Sequence, residues 1–126
     1  MPLDRDAIVL FAHGSRGARW SEPLLRLQAE LLRSHPDLAV PIAYLELQPP
    51  TLEESLAALA ASGKRRIAVA PVFWARGGHI LDDLPGILAA FRQRCPDAEV
   101  QVLPVLSELP GITSFLAQAI AGMDAG

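Results

Sequence analysis

The sequence predicts one α/β domain over residues 1–126, a three-layer sandwich in which helices cover both faces of a four-stranded parallel sheet. Apolar segments of strand length alternate with segments of helical periodicity, in the order βαβαβαβα. The first and third apolar segments are continuously apolar, which is typical of parallel strands buried on both faces. The chain has 126 residues, of which 51% are hydrophobic, and this suits a single domain with one sheet.

Four apolar segments are the predicted strands, at residues 7–12, 39–45, 66–73 and 99–104. Right-handed crossovers between parallel strands favour the spatial order 2-1-3-4, as in flavodoxin-like folds. That order makes the first and third strands neighbours at the point where the direction of winding reverses. Ligands of open α/β sheets bind there, beyond the carboxyl ends of the strands.

Four segments with apolar residues at helical spacing are the predicted helices. They begin at about residues 21, 51, 81 to 84 and 111, and they end before Pro36, at Gly63, before Pro96 and at residue 121. Thr51 and Glu54 have the spacing of a capping box. The apolar faces consist of Leu24, Leu27, Leu31 and Leu32; of Leu52, Leu56 and Leu59; of Leu84, Ile87, Leu88 and Phe91; and of Ile112, Phe115, Leu116 and Ile120.

Composition and charge exclude several classes of function. The formal net charge of -3 gives no basic field for nucleic acid, so an anionic ligand must be met by local arginines. The single cysteine, Cys95, excludes an internal disulfide and a cysteine-rich metal site. We expect a cytoplasmic protein with no membrane partner, because the amino terminus does not resemble a signal peptide and the apolar runs are too short to span a bilayer.

Two histidines follow the two strands that are predicted neighbours. His13 ends the first strand, and His79 follows the third strand after Gly77 and Gly78. Because adjacent strands lie about 4.8 Å apart, both imidazoles can reach one ion. Imidazole is a suitable ligand for cobalt, nickel, iron and zinc.

A carboxylate at the same edge would complete such a site. Glu46 is the preferred candidate because it directly follows the second strand. Asp82 is the alternative, whereas Asp83 reads first as an acid that complements the dipole of the next helix.

The residue pattern alone leaves other interpretations open. Both histidines can be structural residues at strand and helix ends. The turn at residues 14–17 can instead cradle a phosphate, although it lacks the spacing of a nucleotide-binding loop. Arg16 and Arg76 can pair with carboxylates of a ligand or remain solvated loop charges. Trp74 continues a buried strand, so packing in the core is its default prediction.

Three motifs together resemble a known family. They are His13-Gly14-Ser15, the segment Leu45-Glu46-Leu47 with Pro50, and Gly78-His79 followed by Asp82 and Pro85. In this combination the chain resembles, over nearly its whole length, the short-form CbiX/SirB sirohydrochlorin chelatases, which are class II tetrapyrrole chelatases. Trp74 departs from the family pattern, in which an aliphatic residue is commoner.

The resemblance implies a chelatase-like fold and insertion of a divalent metal into sirohydrochlorin without ATP, in cobalamin or sirohaem-type tetrapyrrole biosynthesis. The metal substrate is Co²⁺, with Fe²⁺ or Ni²⁺ in relatives, and no organic cofactor is implied. His13 and His79 match family metal ligands that also support the chemistry, and Glu46 matches a family acid. Short members work as homodimers. The remaining candidates, all for binding the tetrapyrrole, are Ser15, Arg16, Arg76, Gly77 and Gly78.

A non-catalytic carrier of metal or tetrapyrrole is the alternative function. Such a carrier would bind both ligands and never join them. A generic anion-binding module is a third interpretation, and it predicts phosphate affinity at residues 14–17.

In the chelatase interpretation, a neutral imidazole can act as a metal ligand or as a base, since the macrocycle loses two protons when the metal enters.

Overall fold

A computed structural model describes residues 4–14, 21–77 and 81–123 of the chain. Within these residues a parallel sheet has the strand order β2-β1-β3-β4, which confirms the predicted α/β class and the order 2-1-3-4. The strands are Ala7–Ala12 (β1), Ile42–Tyr44 (β2), Arg66–Pro71 (β3) and Glu99–Val102 (β4). The helices are Glu22–Ser34 (α1), Leu52–Ala61 (α2), Leu84–Arg94 (α3) and Ile112–Ala121 (α4), with a short 3-10 helix at Leu106–Glu108.

Helix α2 forms as its sequence predicts. The side chain of Thr51 accepts a hydrogen bond from the Glu54 amide, and the Glu54 carboxylate accepts one from the Thr51 amide. These bonds satisfy two amides that a helix start leaves without intrahelical partners. Gly63 follows the helix with φ +91°, a conformation that glycine adopts without steric cost.

The core on one face of the sheet lies beneath α2 and α3. The predicted apolar residues of both helices pack there against the centre of β1 and β3. Helix α1 contributes less to the other face, because only Leu24 is buried and Leu31 is half-buried. Leu27 and Leu32, the other two members of the predicted apolar stripe, are exposed.

Strands β2, β3 and β4 are shorter than predicted, whereas β1 has the predicted bounds. The ladder of β2 covers three residues, preceded by an isolated bridge between Ala39 and Ala7, because Pro41 has no N–H to donate. Strand β3 ends at Pro71, and β4 ends at Val102. Beyond β3, the carbonyls of Phe73 and Trp74 accept hydrogen bonds from the amides of the 3-10 helix.

One carboxylate links the amino-terminal ends of β1 and β3. Asp6 accepts hydrogen bonds from the backbone amides of Arg65, at 2.9 Å, and Arg66, at 3.0 Å. Burial raises the pKa of the Asp6 carboxyl, but these amides favour the charged form, and the net pKa is lower than the usual value. The Asp6 carboxylate therefore ties the start of β1 to the start of β3.

Candidate functional site

The carboxyl edge of the sheet, where the strands of the parallel sheet end, carries the predicted site. His13 follows β1 directly, and Glu46 lies two residues beyond β2. The pairing of β1 and β2 continues past their ends, because the Leu45 amide donates to the Ala12 carbonyl at 2.8 Å and the Glu46 amide donates to the His13 carbonyl at 3.1 Å. This backbone pairing holds the two candidate residues side by side.

The His13 and Glu46 side chains meet in the space beyond the sheet. Nε2 of His13 lies 3.3 Å from Oε1 of Glu46, with 44% of the first side chain and 55% of the second exposed. Nδ1 of His13 lies 3.3 Å from the carbonyl oxygen of Gly14. Both ring nitrogens therefore face oxygen acceptors.

Two states of the imidazole satisfy that arrangement. An imidazolium donates from both nitrogens. A neutral imidazole satisfies it when Nδ1–H donates to Gly14 and a cation lies at Nε2 between the ring and the Glu46 carboxylate. Metal-binding histidines commonly donate their second N–H to a backbone carbonyl in this way. The pair has the donor set for a divalent metal and for proton transfer.

Gly14 permits the close approach of the two loops. It has φ +103°, and a Cβ atom on its backbone would lie 2.0 Å from the Glu46 carbonyl oxygen. Any side chain at this position would displace the Glu46 backbone. Leu47 follows with φ +72°, which is uncommon for a residue other than glycine, and turns the chain back directly after Glu46.

The second predicted loop is described only in part. Ser15, Arg16, Gly78 and His79 lie outside the described residues, so the predicted metal pair of His13 and His79 stays a prediction. Gly77 is the last described residue before this gap. Among the described residues, no group of three histidine, cysteine or acidic side chains has the geometry to hold a metal.

Arg76 has a partner that the sequence did not predict. Its Nε lies 3.3 Å from Oε1 of Glu108, and both side chains are largely exposed. Glu108 belongs to the 3-10 helix that follows β4, the neighbour of β3. The only sequence signal for this contact is topological, because neighbouring parallel strands bring their carboxyl-end loops together.

The default prediction for Trp74 was wrong. The side chain is 57% exposed and lies at the carboxyl edge, because β3 has ended and the chain leaves the sheet at this point.

Asp83 lies at the N-cap position of α3, which agrees with its interpretation as an acid at the start of a helix. No helix formed by the described residues is long and apolar enough to cross a membrane.

Comparison with known proteins identifies the family. The CbiX sequence profile matches residues 7–122. The sirohydrochlorin cobaltochelatase of Methanosarcina acetivorans is 36% identical over 88 residues, which cover 70% of this chain and 68% of that protein. The structure of a CbiX protein from Marinobacter aquaeolei aligns with a TM-score of 0.75 and 25% identity, covering 91% of this chain and 93% of the other.

A longer relative has a related fold. The sirohydrochlorin chelatase SirB of Bacillus subtilis subspecies spizizenii, solved in complex with cobalt, aligns with a TM-score of 0.67 and 27% identity. The alignment covers 79% of this chain and 43% of SirB, so this chain spans less than half of that protein. The profile match over residues 7–122 includes the strands and helices described above, and the chain belongs to the CbiX family.

Proposed function

We propose that this protein inserts a divalent metal ion into sirohydrochlorin without ATP, as a sirohydrochlorin chelatase. The observation that supports this most directly is the 3.3 Å approach of His13 Nε2 to Glu46 Oε1 at the carboxyl edge. A relative that is 36% identical is a sirohydrochlorin cobaltochelatase, which makes Co²⁺ the first candidate metal. Fe²⁺ and Ni²⁺ are the other candidates, because the same donor types accept them.

The chemistry requires a metal that is held weakly and two protons that are removed. His13 and His79 are the proposed metal ligands, and a site with so few protein ligands leaves coordination positions open for the macrocycle nitrogens. As the metal moves into the macrocycle, the freed imidazoles of His13 and His79 each accept one of the two pyrrole protons. Glu46 lies 3.3 Å from the ring of His13, and its carboxylate stabilises the His13 imidazolium and so assists the transfer.

The substrate carboxylates meet the loops around this pair. Arg76 is mostly exposed and can turn from Glu108 to a substrate carboxylate, which guanidinium binds in bidentate geometry. We expect Arg76→Gln to raise the KM for sirohydrochlorin about tenfold, in the range of one charged hydrogen bond, with kcat unchanged. Arg33→Gln is the matched control, because Arg33 forms a similar exposed ion pair with Glu30 on α1. The other proposed substrate-binding residues are Ser15, Arg16, Gly77 and Gly78.

The proposal also covers the oligomeric state of the protein, its location in the cell and its cofactor requirement. Residues 1–126 act as one chelatase domain and pair as a homodimer, since the macrocycle is wide and one small domain offers only part of a cleft. The reaction takes place in the cytoplasm, and no organic cofactor takes part.

The test is an anaerobic absorbance assay of sirohydrochlorin with each metal, with and without the protein. The proposal predicts insertion faster than the spontaneous reaction, with one metal preferred. Tight binding of metal and tetrapyrrole without acceleration would instead identify a carrier. No acceleration and no binding of either ligand would overturn both functions.

A further inference from the structure

Helix α4 is apolar and yet unburied. Within residues 81–123, which the structure describes without a gap, no residue of α4 is buried. Phe115 is 65% exposed and Ile120 is 71% exposed, and Met123 just beyond the helix is 76% exposed. No α4 residue belongs to the three hydrophobic clusters of the described core.

The apolar side chains of this segment form a regular stripe. Its members recur at the i, i+3, i+4, i+7, i+8 and i+11 spacing of one helix face, and they are Ile112, Phe115, Leu116, Ala119, Ile120 and Met123. We call these six residues the α4 stripe; Ile112 and Leu116 are half-buried, and the other four are exposed. A face with this pattern normally packs against another element, so its exposure indicates that a partner covers it.

The charge of the segment indicates the kind of partner. Residues 111–123 contain no acidic or basic side chain, although the chain carries a formal net charge of -3. Two copies of the chain carry the same net charge, but they can meet at this face without placing like charges opposite one another. Helices that lie on membranes carry lysine or arginine on the polar face, and this segment has neither, which disfavours a lipid surface.

The exposed area agrees with a second copy. The chain has an accessible surface of 8308 Å² for a mass of 13.5 kDa. A compact monomer of this mass is expected to expose about 6,500 Å². The chain therefore exposes about 1,800 Å² more than expected, and the exposed apolar residues of α4 contribute to that excess; a standard interface needs about 800 Å² per partner.

The α4 stripe also lies next to the candidate site along the chain. The 3-10 helix that leads into α4 donates hydrogen bonds from Leu106 to the Phe73 carbonyl, at 2.9 Å, and from Ser107 to the Trp74 carbonyl, at 2.8 Å. Its Glu108 pairs with Arg76. A partner seated on α4 is therefore connected through three residues to the loop that carries Arg76 and Gly77.

We propose that the α4 stripe is the surface on which a second copy of this chain docks, with the same stripe contributed by both copies. The proposal rests on the homodimer of the proposed function and assigns its interface. An interface that uses the same patch on both subunits is the commonest arrangement of protein dimers.

The test is the molar mass in solution, measured by sedimentation equilibrium on the full chain and on three variants. Phe115→Glu and Ile120→Glu place a charge in the stripe. Ser114→Glu places the same charge on the opposite side of the same helix, at an exposed position. We expect the wild type and Ser114→Glu to have twice the mass of the chain, and the two stripe variants to have half that value with an unchanged circular dichroism spectrum.

The possible results distinguish the assignment of the dimer interface to α4 from the proposed chelatase function. If the stripe variants stay dimeric, the dimer stands and the assignment of its surface is overturned. If the wild type is monomeric throughout the concentration range, both the dimer and the surface are overturned. Binding of the monomeric wild type, but not of Phe115→Glu, to anionic phospholipid vesicles would overturn the proposal in favour of a membrane. Metal insertion, assayed separately, decides the chelatase function independently of these masses.

Discussion

Replacing Gly14 by alanine tests how the two loops of the candidate site are held together. Two penalties act at this position. The φ of +103° is strained for any residue with a Cβ atom, and that atom would lie 2.0 Å from the Glu46 carbonyl oxygen. Gly63 is a natural control, because its φ is +91° and nothing lies within 4 Å of a Cβ there. Gly63→Ala therefore carries the strain without the collision.

The expected magnitudes follow from these two penalties. Left-handed backbone costs a residue other than glycine about 1–2 kcal/mol, and this is the whole effect expected for Gly63→Ala. Relief of the collision requires Glu46 to move by about 1 Å, and overpacking of this kind costs about 1–3 kcal/mol more. Gly14→Ala should therefore lose about 2–5 kcal/mol of the 5–15 kcal/mol typical of a small domain and remain folded.

Urea unfolding followed by circular dichroism measures both losses, with equal m-values as the condition for comparison. The proposed chelatase rate gives a second readout, because a 1 Å displacement of a catalytic group costs about a hundredfold. Gly63→Ala should keep the wild-type rate. A Gly14→Ala protein that is no less stable than Gly63→Ala would refute the close approach of Gly14 and Glu46.

Three further substitutions test the packing and the electrostatics of the fold. Asp6→Asn should lower the free energy of unfolding at pH 7 by about 1–2 kcal/mol, since the charged acceptor of two amides is lost. Because folding lowers the pKa of Asp6, the wild type should lose this advantage as the pH falls below about 4, and unfolding curves that differ equally at pH 3 and pH 7 would contradict the assignment. Ser55→Ala should raise the free energy of unfolding by up to about 1 kcal/mol, because the buried Ser55 hydroxyl has no hydrogen-bond partner among the described residues, and a loss of stability would contradict that reason. Leu56→Ala should cost about 2–5 kcal/mol as a cavity in the core, whereas Leu25→Ala on the exposed side of α1 should change stability by about 0.5 kcal/mol or less; equal losses would contradict the described core.

Much of the fold could be predicted from local sequence signals. The capping box of Thr51 and Glu54 and the glycine after α2 determine both ends of that helix. Continuous apolar runs located β1 correctly and β3 to within two residues of its end. These signals succeed because hydrogen bonds near in sequence and burial on both faces decide the structure there.

The errors share a physical cause. Periodicity identifies an apolar helix face, but it does not say whether the same chain covers that face, which is why Leu27 and four members of the α4 stripe are exposed. Trp74 is predicted to be buried because it continues an apolar run, but such a run does not show where the hydrogen bonding between strands ends. The contact between Arg76 and Glu108 spans 32 residues and depends on the topology, so no local pattern contains it.

The site was predicted in part. Strand order and motif position brought His13 and Glu46 to one edge, and their distance agrees with that prediction. The role of Gly14 was not predicted, because the sequence gives no measure of how closely the Glu46 backbone approaches. The second histidine, His79, lies outside the described residues, so its role as a metal ligand stays a prediction.

The most direct test of the proposed roles of His13 and His79 is a single-turnover assay of metal insertion. It compares His13→Ala and His79→Ala with His35→Ala. His35 is the C-cap residue of α1 and serves as the matched control outside the proposed site. We expect both site variants to lose about a hundredfold or more of the insertion rate and to keep their fold, while His35→Ala retains the wild-type rate. A wild-type insertion rate in His13→Ala would contradict the proposed chelatase mechanism, because that mechanism depends on the pair that His13 forms with Glu46.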